Sequence, residues 1–228
     1  MCLLLYILFG LDKSNQIIMK KLFLVLVILL VSASLIQSFA QTEDFAKAVS
    51  EGKVSVTFHG TGGSSGDAIE ATVQTTPKAV GDLVLTMAPG TRLQSGNSSD
   101  QNMVIANVKG EVANENSYSP TTLITVTSTP KTYIFDAYCT DFEKDNPSTG
   151  TQFSLGKIDP VLACILGDSS STIVKQAAVW IYTDKASYSH VNQKFSVSQS
   201  DWDSAVAVVK NCSEMKTGSS TLPSIQKP

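Results

Sequence analysis

The chain is poor in the residues that hold nucleic acid: among 228 residues it has a single arginine, Arg92, and two histidines, His59 and His190. Phosphate binding needs clustered Lys and Arg, so DNA and RNA are excluded as partners. Two histidines at no ligand spacing, with scattered cysteines, leave no zinc pattern. The stretch Gly60-Thr61-Gly62-Gly63-Ser64-Ser65-Gly66-Asp67 is glycine-rich, but it lacks the Gly-Lys-Ser or Gly-Lys-Thr ending of a phosphate-binding loop and runs into strand-like sequence. It reads as a turning connection between strands, and no nucleotide, metal or other cofactor is expected.

Present instead is an N-terminal export pattern. Lys20-Lys21 precede the apolar run Leu22 to Val31, and Ser38-Phe39-Ala40 supply small residues before Gln41. A charged start, an apolar core and small residues at the cut site describe a secretory signal peptide over residues 1–40, with cleavage after Ala40. Residues 1–18 read as an upstream extension, with Met19 the true start. The alternative is an uncleaved anchor, the one way in which a membrane enters this reading, although Leu22 to Leu35 is short for a span of roughly 20 residues. Cleavage leaves 14 basic residues against 19 acidic, a net charge of −5. The expected location is outside the cell or on its surface.

Three cysteines then remain, Cys139, Cys164 and Cys212, an odd number in an oxidising compartment. A Cys164–Cys212 bridge is preferred because both lie on predicted helices, and it leaves Cys139 over. A Cys139–Cys164 pairing is the competitor.

Thr42-Glu43-Asp44 caps a predicted helix over Phe45 to Ser50. Val54, Val56 and Phe58 alternate with polar residues, as do Ile69, Ala71 and Val73, then Leu83, Leu85 and Met87. Further short apolar runs occupy Met103 to Ala106, Gly110 to Ala113, Leu123 to Val126 and Tyr133 to Tyr138. Residues 41–137 are therefore read as β-rich, an antiparallel sandwich or small barrel. Residues 138–212 read as mostly helical. Asp159-Pro160 starts one helix, and Ser169 to Thr172 caps a second with Ile173, Ala177, Trp180 and Ile181 inward. A third begins near Ser198 or Ser200 with Trp202, Ala205, Val206 and Val209 inward. Ala186 to Val191 reads as a loop, and 213–228 as a disordered tail. The fold class is α+β, mainly β, with a small helical subdomain packed on the β part.

Two short stretches carry the chemistry. Tyr138-Cys139-Thr140-Asp141 places a cysteine at a strand end, and Gln176-Ala177-Ala178-Val179-Trp180 places a glutamine on the apolar face of a helix. A buried amide without partners costs roughly 1 to 3 kcal/mol, so Gln176 needs a reason to be there. The two stretches resemble motifs of the bacterial thioester domains of Gram-positive surface adhesins. There a Tyr-Cys-x-Asp-like motif and a later Gln-x-Ala-Ile/Val-Trp-like motif supply an internal thioester. Lys175 stands where that family usually has threonine. The resemblance implies that Cys139 and Gln176 form the bond, that Tyr138 and Trp180 exclude water, and that Asp141 moves a proton or orients a donor. The implied partner is an amine or hydroxyl nucleophile on a surface protein or glycan.

Two other readings belong to different classes. One is a non-covalent extracellular binding or structural module without the bond. The other is a cysteine hydrolase with Cys139 as nucleophile and His190 as base, which requires the two to meet in space.

Overall fold

The computed structural model describes residues 42–114 and 117–217. The expected signal peptide, its cleavage site and the end of the tail lie outside them. The described residues form one unit.

Ten strands run through it: β1 (Glu43–Asp44), β2 (Val54–Gly60), β3 (Ser65–Thr75), β4 (Leu83–Thr86), β5 (Thr91–Ser95), β6 (Met103–Asn114), β7 (Ser117–Pro120), β8 (Ile124–Val126), β9 (Lys131–Cys139) and β10 (Gln152–Ile158). Six of them pair in the order β5-β10-β2-β3-β9-β6, and a β5–β6 pairing closes the ring into an antiparallel barrel. Closure leaves those six strands without a free edge. β7 extends β6 outward, and β1, β4 and β8 make a separate small sheet.

The barrel interior is filled by the inward halves of alternating strands, including Phe58, Ala71, Val73, Leu93, Ile105, Phe135 and Ala137, all buried. Helix α1 (Phe45–Ser50) starts where Asp44 accepts a hydrogen bond from Lys47 N at 2.8 Å, and it sends Phe45 edge-on to Phe58 at 6.1 Å between ring centres. Its end is turned by Gly52 at φ +70°, a conformation that glycine adopts without strain.

Four helices follow: α2 (Pro160–Gly167), α3 (Thr172–Asp184), α4 (Tyr188–Lys194) and α5 (Gln199–Thr217). Asp159 caps α2 through Val161 N and Leu162 N, with Pro160 in the first turn. Ser171 caps α3, which packs on both β9 and α5. Cys164 of α2 is disulfide-bonded to Cys212 of α5.

Several expectations are corrected. Within 138–212, read as mostly helical, lies one strand that was not foreseen, β10, which completes the barrel. Phe153 and Leu155 face inward there, but a bulge after Leu155 breaks the alternation that would have marked the strand. The glycine-rich connection is shorter than read, since Ser65, Gly66 and Asp67 already pair with β9. Met103 to Ala106 and Gly110 to Ala113 belong to one strand, β6, whose two register shifts hide its continuity. Ala186 to Val191 is not all loop, because Tyr188 to Val191 opens α4, where only Val191 is buried. Ile173 and Val206 point outward, 40% and 44% exposed, because the buried faces are set by Val174, Ala177 and Ala178 on one helix and Trp202, Ala205 and Cys212 on the other. Residues 213–217, expected in the tail, continue α5.

Candidate functional site

β9 delivers Cys139 at its last position, and α3 delivers Gln176 one turn after its start; both are fully buried. Cys139 N donates to Ser64 O at 3.0 Å and to Gln176 Oε1 at 3.1 Å, while Gln176 Nε2 donates to Cys139 O at 2.8 Å. In an extended strand the N–H and C=O of one residue point to the same edge. Here that edge belongs to β3, which begins only at Ser65 opposite Tyr138. The Gln176 amide thus continues the ladder beyond the end of β3, and both of its polar atoms are satisfied on Cys139. This accounts for a polar side chain at a fully buried position.

The thiol itself is directed at Met103 Sδ, 3.3 Å away on the directly opposite residue of β6. Burial first, and the Asp141 carboxylate second, push the Cys139 thiol well above its ordinary range. Asp141 is already engaged: its Oδ2 accepts from Asn102 N at 2.7 Å and from Thr140 Oγ1 at 3.2 Å, which fixes the chain leaving β9 against the start of β6. Tyr138 is buried on the opposite face of the strand from Cys139, with its hydroxyl 3.4 Å from Asp136 Oδ2, and burial with that carboxylate nearby pushes its phenol up to about 12.

Trp180, one turn beyond Gln176, is 3% exposed. Its ring is met edge-on by Phe142 at 5.0 Å and by Phe195 at 5.2 Å, and its Nε1 donates to Gln101 Oε1 at 3.4 Å. A cavity of about 260 Å³ opens beside it, walled by Ser64, Gln101, Phe142, Glu143, Trp180 and Phe195. Ser64 carries the carbonyl that Cys139 N bonds, so this cavity reaches the residue next to the pair. Gln101, Met103, Phe142 and Phe195 were missed by sequence reasoning. Gln101 sits in the polar run Ser98 to Asn102 that reads as an ordinary turn, and only Phe142, directly after the Tyr138 to Asp141 stretch, carried a signal of position.

The structure brings Cys139, Gln176 and Trp180 together around one strand end, with Asp141 bracing it. His190 is held elsewhere: its Nε2 lies 2.9 Å from Glu143 Oε1, and its ring stands edge-on to Phe142. Among the described residues no hydrogen bond joins it to Cys139. Cys164 and Cys212 are consumed by their mutual bond, leaving Cys139 as the unpaired cysteine among the described residues. Those residues also contain no group of three or more His, Cys, Asp or Glu able to hold a metal, and no helix long and apolar enough to cross a membrane.

The chain matches no family model, no curated protein and no solved structure. Its functional reading therefore rests on the site.

One consequence of this burial is directly measurable. Where Cys139 is a thiol, its alkylation by iodoacetamide at mildly alkaline pH is expected to be at least about a hundredfold slower in the folded protein than in guanidinium, because each unit of raised pKa removes tenfold of thiolate. The folded thiol titrates above the unfolded one, so its contribution is fully present below an unfolded pKa of about 8.5 and is lost as pH rises beyond it. Cys139→Ala abolishes that slope. Equal labelling of folded and unfolded protein would refute the buried thiol.

Proposed function

We propose that the chain is an exported surface or extracellular protein in which Cys139 and Gln176 form an internal thioester for covalent attachment to an amine or hydroxyl of a partner. The observation that carries the reading is the double hydrogen bond that clamps the Gln176 side-chain amide on the backbone of Cys139. That clamp holds the amide carbon beside the residue that bears the thiol.

The chemistry balances without a co-reactant. The Cys139 sulfur attacks the Gln176 amide carbon, an S–C bond forms, the C–N bond breaks, and the nitrogen leaves as ammonia carrying the thiol proton. The amide is a poor electrophile, so the step depends on fixed proximity, which is worth up to about 7 to 11 kcal/mol of a barrier. Bond formation exchanges the thiol's contact with Met103 for the new bond. The raised thiol pKa requires that the proton leave with the departing nitrogen rather than to bulk water. Trp180, between Phe142 and Phe195, then shields the stored acyl group from water. A partner amine entering by the cavity at Ser64 attacks the same carbon, an amide forms, and Cys139 is released as a thiol.

The complete burial of that thiol and the full satisfaction of Gln176 favour a second reading, a non-covalent extracellular module in which the pair is structural. Intact-mass measurement and peptide mapping decide between them, on protein purified without reductant or amines beside Cys139→Ala. The thioester predicts a wild type lighter by one ammonia, with Cys139 linked to Gln176 and the deficit reversed by methylamine. Full mass with a free Cys139 establishes the second reading.

A further inference from the structure

The chain leaving β9 passes between two cavities. The one described above takes Phe142 and Glu143 into its wall; the other, of about 330 Å³, takes Thr140 and Asp141, together with Arg92, Asn102, Gly156 and Lys157. The second cavity is made by the bulge in β10. Leu155 pairs with Leu93 and Ile158 with Thr91, so Gly156 and Lys157 together oppose the single residue Arg92. In a regular ladder Lys157 would turn toward the barrel interior. The extra residue turns it outward instead, onto the face that already carries Arg92, and both side chains are exposed. Gly156 lets β10 lie close to β5 at the bulge: a Cβ there would stand 3.0 Å from Arg92 O and 3.3 Å from Arg92 Cβ.

Two cations thus share one cavity in a chain whose residues from 41 onward carry a net charge of −5 and one arginine. Among the described residues neither Arg92 nor Lys157 makes an ion pair. The carboxylate in the wall makes no ion pair with either: Asp141 Oδ2 accepts from Asn102 N and Thr140 Oγ1, and the charge of Asp141 is met by Lys144, 3.8 Å from its Oδ1. A guanidinium offers the paired donors that a carboxylate accepts, and a lysine beside it adds a point charge. The rest of the lining is amide and hydroxyl: Gln94, Thr140 and Asn102, whose side chain is oriented by its Oδ1 accepting from Ser95 N at 2.8 Å. Leu93 is its one apolar side chain and no aromatic ring lines it; the carbon stems of the polar side chains supply the rest of its apolar surface, a lining that suits a ring bearing hydroxyls and one acid group.

We propose that the cavity between Arg92 and Lys157 binds an acidic sugar, its carboxylate on the two cations and its hydroxyls on Asn102, Gln94 and Thr140. This does not depend on the thioester, so it is tested in Cys139→Ala protein. Titration with sodium glucuronate at low ionic strength, followed by NMR, is expected to give saturable shifts at Thr140, Gly156 and Lys157. Glucose, inorganic sulfate and N-acetylglutamate are expected to bind at least about tenfold more weakly, and Arg92→Gln/Lys157→Gln is expected to weaken glucuronate by at least about tenfold. Both replaced side chains are exposed and unpaired, and each single variant is expected to lose part of the same affinity with an unchanged fold by circular dichroism. Absence of saturable glucuronate binding would overturn the proposal, as would equal affinity in the double variant. Sulfate or N-acetylglutamate binding as tightly as glucuronate would overturn it too, the first showing charge alone and the second a peptide carboxylate.

Discussion

Gln176→Ala is expected to unfold with about 3 kcal/mol less free energy than Cys139→Ala, the right reference because it too lacks any Cys139–Gln176 bond. The two variants remove different things. Cys139→Ala deletes one buried sulfur and leaves the ladder at the end of β9 intact. Gln176→Ala deprives Cys139 O of its 2.8 Å donor at a fully buried position and leaves a void between α3 and β9, whereas Cys139 N keeps Ser64 O. Urea denaturation of the two proteins measures the difference, and equal midpoints would show that the amide contributes nothing beyond the covalent chemistry. Gln176→Glu sharpens the test through pH. A protonated carboxyl keeps the acceptor for Cys139 N and the donor for Cys139 O; an ionised one has no donor and stands desolvated. Its folded pKa therefore lies above the unfolded value of about 4.3, so its stability is fully present below that pH and is lost as pH rises through the folded value. Gln176→Glu should approach Cys139→Ala in acid and fall to the level of Gln176→Ala or lower near neutrality.

What was legible in the chain followed the locality of the signal. The bounds of α1, the start of α2 and the start of α3 are written in residues a few positions apart: Asp44 with Lys47, Asp159 with Pro160, Ser171 with Val174. The mainly β class was legible from short alternating runs, and the sequence left sandwich and barrel open because closure depends on β5, whose inward face carries one apolar residue, Leu93, between Thr91 and Ser95. Bulges hid the rest. They joined two apparent runs into β6 and disguised β10 as part of a helical region, since each inserted residue reverses the alternation that marks a strand. Cys139 and Gln176 were legible as residues out of place, an odd cysteine and a polar side chain on an apolar face. Their surroundings were not. Met103, Gln101 and Phe195 reach Cys139 or Trp180 through strand register and helix packing across 36, 79 and 15 positions, and Arg92 meets Lys157 through a pairing that no local pattern announces.

Removal of the Cys164–Cys212 bridge is expected to cost about 4 kcal/mol, from the chain entropy released by opening a loop whose ends are 48 residues apart. For a domain of this size that corresponds to a melting temperature lower by about 10 °C. The cost should fall unevenly. The barrel is closed by its own pairings and filled from six strands, whereas α5 is held by a narrow inward face, with Trp202, Ala205 and Cys212 buried and Val206 turned to solvent. The bridge fixes α5 to α2, and α5 in turn lies against α3, the helix that carries Gln176 and Trp180. In Cys164→Ala/Cys212→Ala protein, amide exchange should therefore rise first in α5 and α3 while β3 and β9 remain protected. If helices and barrel lose protection together, the two layers unfold as one cooperative unit and the bridge stabilises the whole. If α3 loosens alone, the clamp on Cys139 loosens with it. Any thioester should then form more slowly in the double variant, since the proximity it requires is supplied by a helix that the disulfide holds in place.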